Sequence, residues 1–218
     1  MDTGRKQAII LMGPPGSGKD TQAELLAREL KLEEIKTSHI IEQKFAAAEP
    51  NDAVMNEEKR KYKSGELLDQ KLVEEWTLEA IASAAAGRGL IANGWPRRVE
   101  EAQTEVEVLE KYYGKNIKVV TIALSEEESV KRNSKRRVCR ANGHPILDPD
   151  ITVCPEDGSP LITRADDIPE TIRKRYQVYL SETALIIDFL TQKGYNVITI
   201  DGEQSIEDVH REILNKLW

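Results

Sequence analysis

A chain of 218 residues, 39% hydrophobic and 32% charged, is long enough for one sizeable α/β core with insertions and too short for two full enzymatic domains. No apolar run nears the roughly 20 residues of a membrane helix, and "AIILM" after the basic "MDTGRKQ" is too short for a secretory core, so the expected compartment is the cytoplasm. A net charge of −7 argues against a nucleic-acid surface, although 31 Lys and Arg residues can still gather in one anion-binding cleft.

The first predicted element is a buried strand, "AIILM", followed by the glycine-rich "GPPGSGK" and a helix with Ala23, Leu26, Ala27 and Leu30 on one face. "EEIK" fits a further short strand. Residues 37–69 are helical in tendency and highly charged, which predicts a small helical insertion. "DQKLVEEWTLEAIASAAA" is a helix leading to the strand "LIAN", which stops before Gly94. "IKVVTIAL" from Ile117 is a third clear strand, followed by a helix in "SEEESVKRNSKRR". Residues 138–164, dense in Gly, Pro, Asn and Asp, predict a compact hairpin-like flap. A long helix over "IPETIRKRYQVYLSETALIIDFLTQKG" ends at Gly194, and "NVITI" from Asn196 is the last strand. Apolar, β-branched strands alternating with helices predict an α/β doubly wound parallel sheet of about five strands. The core is then 1–36, 70–137 and 165–218, interrupted by the helical insertion and the flap. No coiled-coil pattern or long apolar stripe opposes a monomer.

Chemistry concentrates first between Gly13 and Lys19, where G-x-x-x-x-G-K is complete between a strand and a helix. Glycines let backbone N–H groups turn toward phosphate oxygens, the helix N-terminus favours negative charge, and a lysine reaches the terminal phosphates. The hydroxyl that usually follows the lysine is displaced: Asp20 intervenes before Thr21. Phosphoryl transfer needs mainly positive charge in fixed positions around both phosphate chains. Arg97 follows a strand end, Arg132 and Arg136 have i, i+4 spacing on a predicted helix, Arg164 closes the flap, and Arg175 is on the long helix. "KRNSKRR" on its own reads as a solvated face.

"GPPGSGKDTQ", "ANGWPRR", "SVKRNSKRR", "LITRADDIPETIRKRY" and "ITIDG", in this order, resemble the successive motifs of adenylate kinases and related nucleoside monophosphate kinases over nearly the whole chain. The resemblance implies a P-loop kinase that transfers the ATP γ-phosphoryl group reversibly to AMP with Mg²⁺. Residues 37–69 would bind the monophosphate and 138–164 would form a lid. It implies ATP contacts from Gly16, Ser17, Gly18, Lys19, Asp20, Thr21, Arg132, Arg136 and Gln204. Acceptor contacts would come from Thr37, Leu68, Gly94, Arg97, Glu101, Arg164 and Arg175. Lys19, Arg97, Arg136, Arg164 and Arg175 would carry the transfer. Asp166 and Asp167 would orient the arginines and the lid, or else serve as cap and charge at the start of the long helix.

Several positions depart from the family pattern. S-T-G-D-x-x-R reads "KTSHIIE", with His39 at the aspartate and Glu42 at the arginine; G-K-L-V reads "GELL"; and Glu101 takes the place of a base-reading glutamine, with Gln103 nearby. A carboxylate can accept from an exocyclic amine on adenine or cytosine but does not donate to a ring nitrogen. A kinase for CMP or UMP, and a nucleotide-binding module with little catalysis, are therefore the alternatives. Asn93, like His39, replaces a metal-side aspartate, and Asp20 either supplies the lost acceptor for hydrated magnesium or only meets the helix dipole. In the flap, a zinc pattern would pair Cys139 with Asn142 and Cys154 with Asp157. Asparagine is a poor zinc ligand, so a flap without metal is preferred over zinc on Cys139, Cys154 and Asp157, with His144 as a conceivable substitute.

Overall fold

The computed structural model describes residues 6–64, 66, 68–141, 145–146, 150–164 and 167–218. In chain order the first half is β1 (Ala8–Met12), α1 (Lys19–Leu30), β2 (Glu33–Lys36), α2 (Thr37–Ala47), α3 (Ala53–Ser64), α4 (Gln70–Gly87), β3 (Leu90–Asn93) and α5 (Val99–Tyr113). The second half is β4 (Ile117–Ala123), α6 (Glu126–Lys135), β5 (Arg137–Cys139), β6 (Pro145–Ile146), β7 (Leu161–Ile162), α7 (Pro169–Gln192), β8 (Val197–Asp201) and α8 (Ile206–Leu217).

β1 is buried throughout, and its alternating side chains enter two different cores. Ala8, Ile10 and Met12 join residues of α2, α4, α5 and α7, among them Ile41, Ile81, Leu109 and Ile186. Ile9 and Leu11 pack with Ala23 and Leu26 of α1 and Val209 and Ile213 of α8. At about 1.5–3 kcal/mol for each fully buried aliphatic side chain, both faces must be covered, which an all-parallel sheet with crossover helices achieves. The sheet runs β2-β3-β1-β4-β8, parallel at every pairing, in agreement with the doubly wound α/β expectation.

Two helices were not singled out from the sequence. α5 buries Ala102, Val106, Leu109 and Tyr113, and α8 buries Val209, Ile213 and Leu217, both at helical spacing. The segment expected to be helical after β2 is the pair α2 and α3, joined to α4 by aromatic contacts of Phe45 with Tyr62 and Trp76. Buried Glu58 accepts from Lys61 at 2.6 Å and from the Asp69 backbone at 2.8 Å, which ties α3 to the start of α4. The flap is more than a hairpin: β6-β5-β7 is a three-stranded antiparallel sheet.

Two expectations are corrected. Arg136 does not share a helix face with Arg132, because α6 ends at Lys135 and Arg136 turns out at ψ 133 into β5. Asp167 does not cap α7: the cap position is Ile168, without a side-chain cap, and Pro169 opens the helix. Asp166 lies outside the described residues.

Candidate active site

The loop after β1 turns through Gly16 at φ 79 and Gly18 at φ 82, conformations open to glycine and strained for other residues. A Cβ on Gly16 would also meet Asn133 Nδ2 at 2.5 Å. α6 supports the loop from outside, since Ser129 donates to the Pro15 carbonyl at 2.7 Å and Asn133 Nδ2 to the Ser129 carbonyl at 2.8 Å. Arg132 lies against the loop as well, its guanidinium reaching the Gly16 carbonyl at 3.4 Å while Glu128 holds it at 2.9 Å. None of α6's loop-supporting polar residues was assigned that role from the sequence.

Lys19 and Asp20 open α1, and the Lys36–Asn93 register of β2 and β3 brings two more polar residues to the same sheet edge. Asn93 is buried, and its amide donates to Asp20 at 2.9 Å and to Glu34 at 2.7 Å, while Lys36 stands 3.6 Å from Asp20. Among the described residues, Asn93 Oδ1 has no hydrogen-bond partner. Burial pulls the Lys19 pKa below 10.5; Asp20 opposes this, and Arg97, Arg175 and Lys36 add to it. Burial pushes the Asp20 carboxyl up, yet Lys19, Lys36 and the Asn93 bond outweigh it and hold the group below 3.8. Glu34 and Lys36 were missed from the sequence; the one signal was the place of Lys36 at the carboxyl end of a short strand.

A cleft of about 380 Å³ is lined by Gly13, Lys19, Gly94, Arg97, Arg175 and Tyr179, among others. Four predicted residues therefore converge there: Lys19, Gly94, Arg97 and Arg175. Buried Trp95 donates its indole N–H to the Ile35 carbonyl at 2.8 Å, fixing the "NGWPR" turn to β2. Arg97 is exposed, donates to the Gly94 carbonyl at 2.9 Å, and has its own backbone N–H bound to Glu101 at 2.9 Å. Arg136 makes a two-bond pair with buried Asp167, at 2.9 and 2.6 Å. Arg164 is exposed at the flap's end, and its charge acts on the Tyr62 phenol of α3. Thr21, Thr37 and Leu68 are half-buried. The Gln204 amide donates to the Asp201 carbonyl at the end of β8 and to the Glu212 carboxylate on α8. A second hollow of about 400 Å³, between α1 and α8, is lined by Leu25, Ile206 and Leu214 and holds none of the phosphate-loop residues.

In the flap, the candidate ligand atoms of Cys139, Cys154 and Asp157 lie within 4.8 Å of one another. The Ser159 N–H, followed by the Cys154 thiol, lowers the Asp157 carboxyl to about 2, while burial raises the Cys154 thiol. The cluster supplies three of the four ligands a structural zinc takes, and Asn142 and His144 lie outside the described residues.

Comparison with known proteins agrees with this architecture. The family model "Adenylate kinase" matches residues 11–195. The adenylate kinase of Bacillus velezensis is 32% identical over 212 residues, covering 94% of this chain and 95% of the relative. That of Bacillus subtilis is 32% identical over 216 residues, covering 96% and 97% respectively. That of Caldicellulosiruptor bescii is 32% identical over 215 residues, covering 96% and 98%. With its parallel sheet, glycine loop and arginine-lined cleft, the chain belongs to the adenylate kinase family.

Proposed function

We propose that this protein transfers the γ-phosphoryl group of ATP reversibly to AMP, giving two ADP. The observation that carries this is the shared cleft, in which the loop lysine Lys19 meets Arg97 and Arg175 from two other elements. The loop's N–H groups and Lys19 hold the donor phosphates, with Arg132 against the loop and Arg136 as a donor clamp oriented by Asp167. Ser17, Gly18, Thr21 and Gln204 complete the donor side. Arg97, Arg164 and Arg175 meet the acceptor phosphate and the charge that develops in flight. The attacking oxygen is already an anion on the acceptor phosphate, so orientation and charge compensation replace general-base catalysis.

On the acceptor side, Thr37, Leu68, Gly94 and Glu101 border the monophosphate. Because Glu101 already holds the Arg97 backbone N–H, its remaining capacity suits an exocyclic amine, which AMP and CMP both carry. That bond keeps a CMP kinase as the second reading. Residues 37–69 close over the acceptor and 138–164 over the donor, excluding water. Magnesium bound with ATP would supply positive charge against the phosphates, and Asp20 would be the residue to hold its water shell. The residues present fit it: Asp20 is held ionised beside the loop, next to an amide oxygen without a partner among the described residues. The flap, with three converging ligands among the described residues, is held without zinc. The protein acts as a cytoplasmic monomer on ATP and a nucleoside monophosphate.

The deciding experiment is parallel phosphoryl transfer from ATP to AMP, CMP, UMP, GMP and dAMP, each with Mg²⁺ and with excess chelator. Mg²⁺-dependent turnover fastest with AMP is expected. A faster alternative acceptor would rename the enzyme and keep the mechanism; no turnover while ATP still binds would leave a nucleotide-binding module.

A further inference from the structure

The sheet edge beside Lys19 carries more acidic chemistry than the loop motif explains. Two carboxylates from different elements, Asp20 of α1 and Glu34 of β2, are drawn to one buried amide, each receiving one N–H of Asn93. An arrangement meant only to tie β2 to β3 needs one such bond, because the strand pairing already fixes their register. Lys36 balances Asp20, whereas Glu34 has no ion pair among the described residues. The same amide leaves Oδ1 buried and, among the described residues, unpartnered, an unfavourable arrangement unless something donates to it. Two carboxylates and a carbonyl oxygen next to a phosphate-binding loop match what a hydrated hard cation asks for. Magnesium keeps several waters, takes one or two carboxylates and shares the rest of its shell with substrate phosphate. Water molecules of that shell donate, so they satisfy the orphaned oxygen as well.

We infer that Asp20 and Glu34, held in register by Asn93, are the acceptors for the water shell of the ATP-bound magnesium in this chain. The inference rests on the phosphotransferase reading and assigns its metal side to residues on α1 and β2. Glu34 was not visible as a metal-side group in the sequence pattern, where Asn93 stood only as the replacement of a metal-side aspartate, and the exposed His39 takes no part.

The test is calorimetric affinity for ATP, measured with Mg²⁺ and with EDTA, for the whole protein, Glu34→Gln and Asp20→Asn, supported by Mn²⁺ titration in the presence of ATP followed by electron paramagnetic resonance. Glu34 is half-exposed, so its variant is expected to fold, and a thermal melt checks this. The expected result is that Glu34→Gln keeps its affinity for ATP in EDTA within about twofold, and that both variants lose roughly tenfold of the gain that Mg²⁺ confers and weaken Mn²⁺ uptake to a similar degree. An unchanged Mg²⁺ gain in both variants, with ATP binding intact, overturns this inference and leaves the phosphotransferase reading standing. Failure of the unaltered protein to bind ATP in either condition overturns both.

Discussion

Among single residues, Lys19 has the most direct consequence for solution behaviour. Its free-state pKa lies below 10.5 because burial disfavours the charge, and a bound triphosphate restores it. ATP binding is therefore expected to take up a proton in alkaline solution, increasingly so as pH approaches the free-state pKa, which titration calorimetry in buffers of different ionisation enthalpy measures. Glu105 gives a second prediction. It is buried on α5 with one oxygen lacking a partner among the described residues, and burial, then Glu101 and Glu74, holds its proton well above 4.5. The unfolded chain releases that proton near 4.5, so above this pH the folded state binds more protons, and stability falls as pH rises through the folded value. Glu105→Gln should remove this slope and raise the melting temperature at pH 8 but not below pH 4, by about 2–4 °C for each ~1 kcal/mol relieved. Lys19 and Asp20 were legible in the sequence because the loop motif fixes them through local spacing. Glu34 was not, since its bond to Asn93 spans 59 positions and exists only once β2 lies beside β3.

At the level of elements, the phosphate loop depends on α6 more than on its own sequence. Gly16→Ala combines a strained φ with a close approach to Asn133, so it should distort the loop and weaken ATP binding about tenfold or more, while the sheet still folds. Calorimetry and a thermal melt on the same sample separate the two effects. The junction of α6 and α7 makes a complementary case. Asp167→Asn leaves the Arg136 guanidinium, 21% exposed, without its carboxylate, at an expected cost of about 1–3 kcal/mol in stability together with a lower kcat. Denaturant unfolding and turnover report the two losses. Helices and central strands were readable from periodicity, and α5 and α8 carry equally regular apolar spacing outside the phosphate-binding motifs. The end of α6 was not readable. "SVKRNSKRR" has no Gly or Pro to stop it, and Arg136 leaves the helix toward a partner supplied 31 positions later.

Taken as a whole, the molecule combines a sheet buried on both faces with two outlying parts, α2–α3 and the β6-β5-β7 flap, that rest on smaller contacts. In the flap, Asp157 accepts from the Cys139 thiol at 3.6 Å and the Ser159 N–H at 2.9 Å, and the Cys154 backbone N–H donates to the Ser159 carbonyl at 2.8 Å. On the proposal that these bonds suffice for the turn, stoichiometric zinc should be absent from the purified protein and its melting temperature unchanged by a strong chelator; elemental analysis and scanning calorimetry check both. The sequence left this open because its cysteines are spaced as zinc ligands while Asn142 breaks the set. The indole of Trp95, fixed to β2 and adjoining the cleft, also makes the protein its own optical reporter. Trp76 and Trp95 are buried and Trp218 is 67% exposed, so iodide should silence only the C-terminal emission. What remains is light from the interior, partly from a chromophore one residue from Gly94, and its colour and lifetime should follow nucleotide binding without any attached dye.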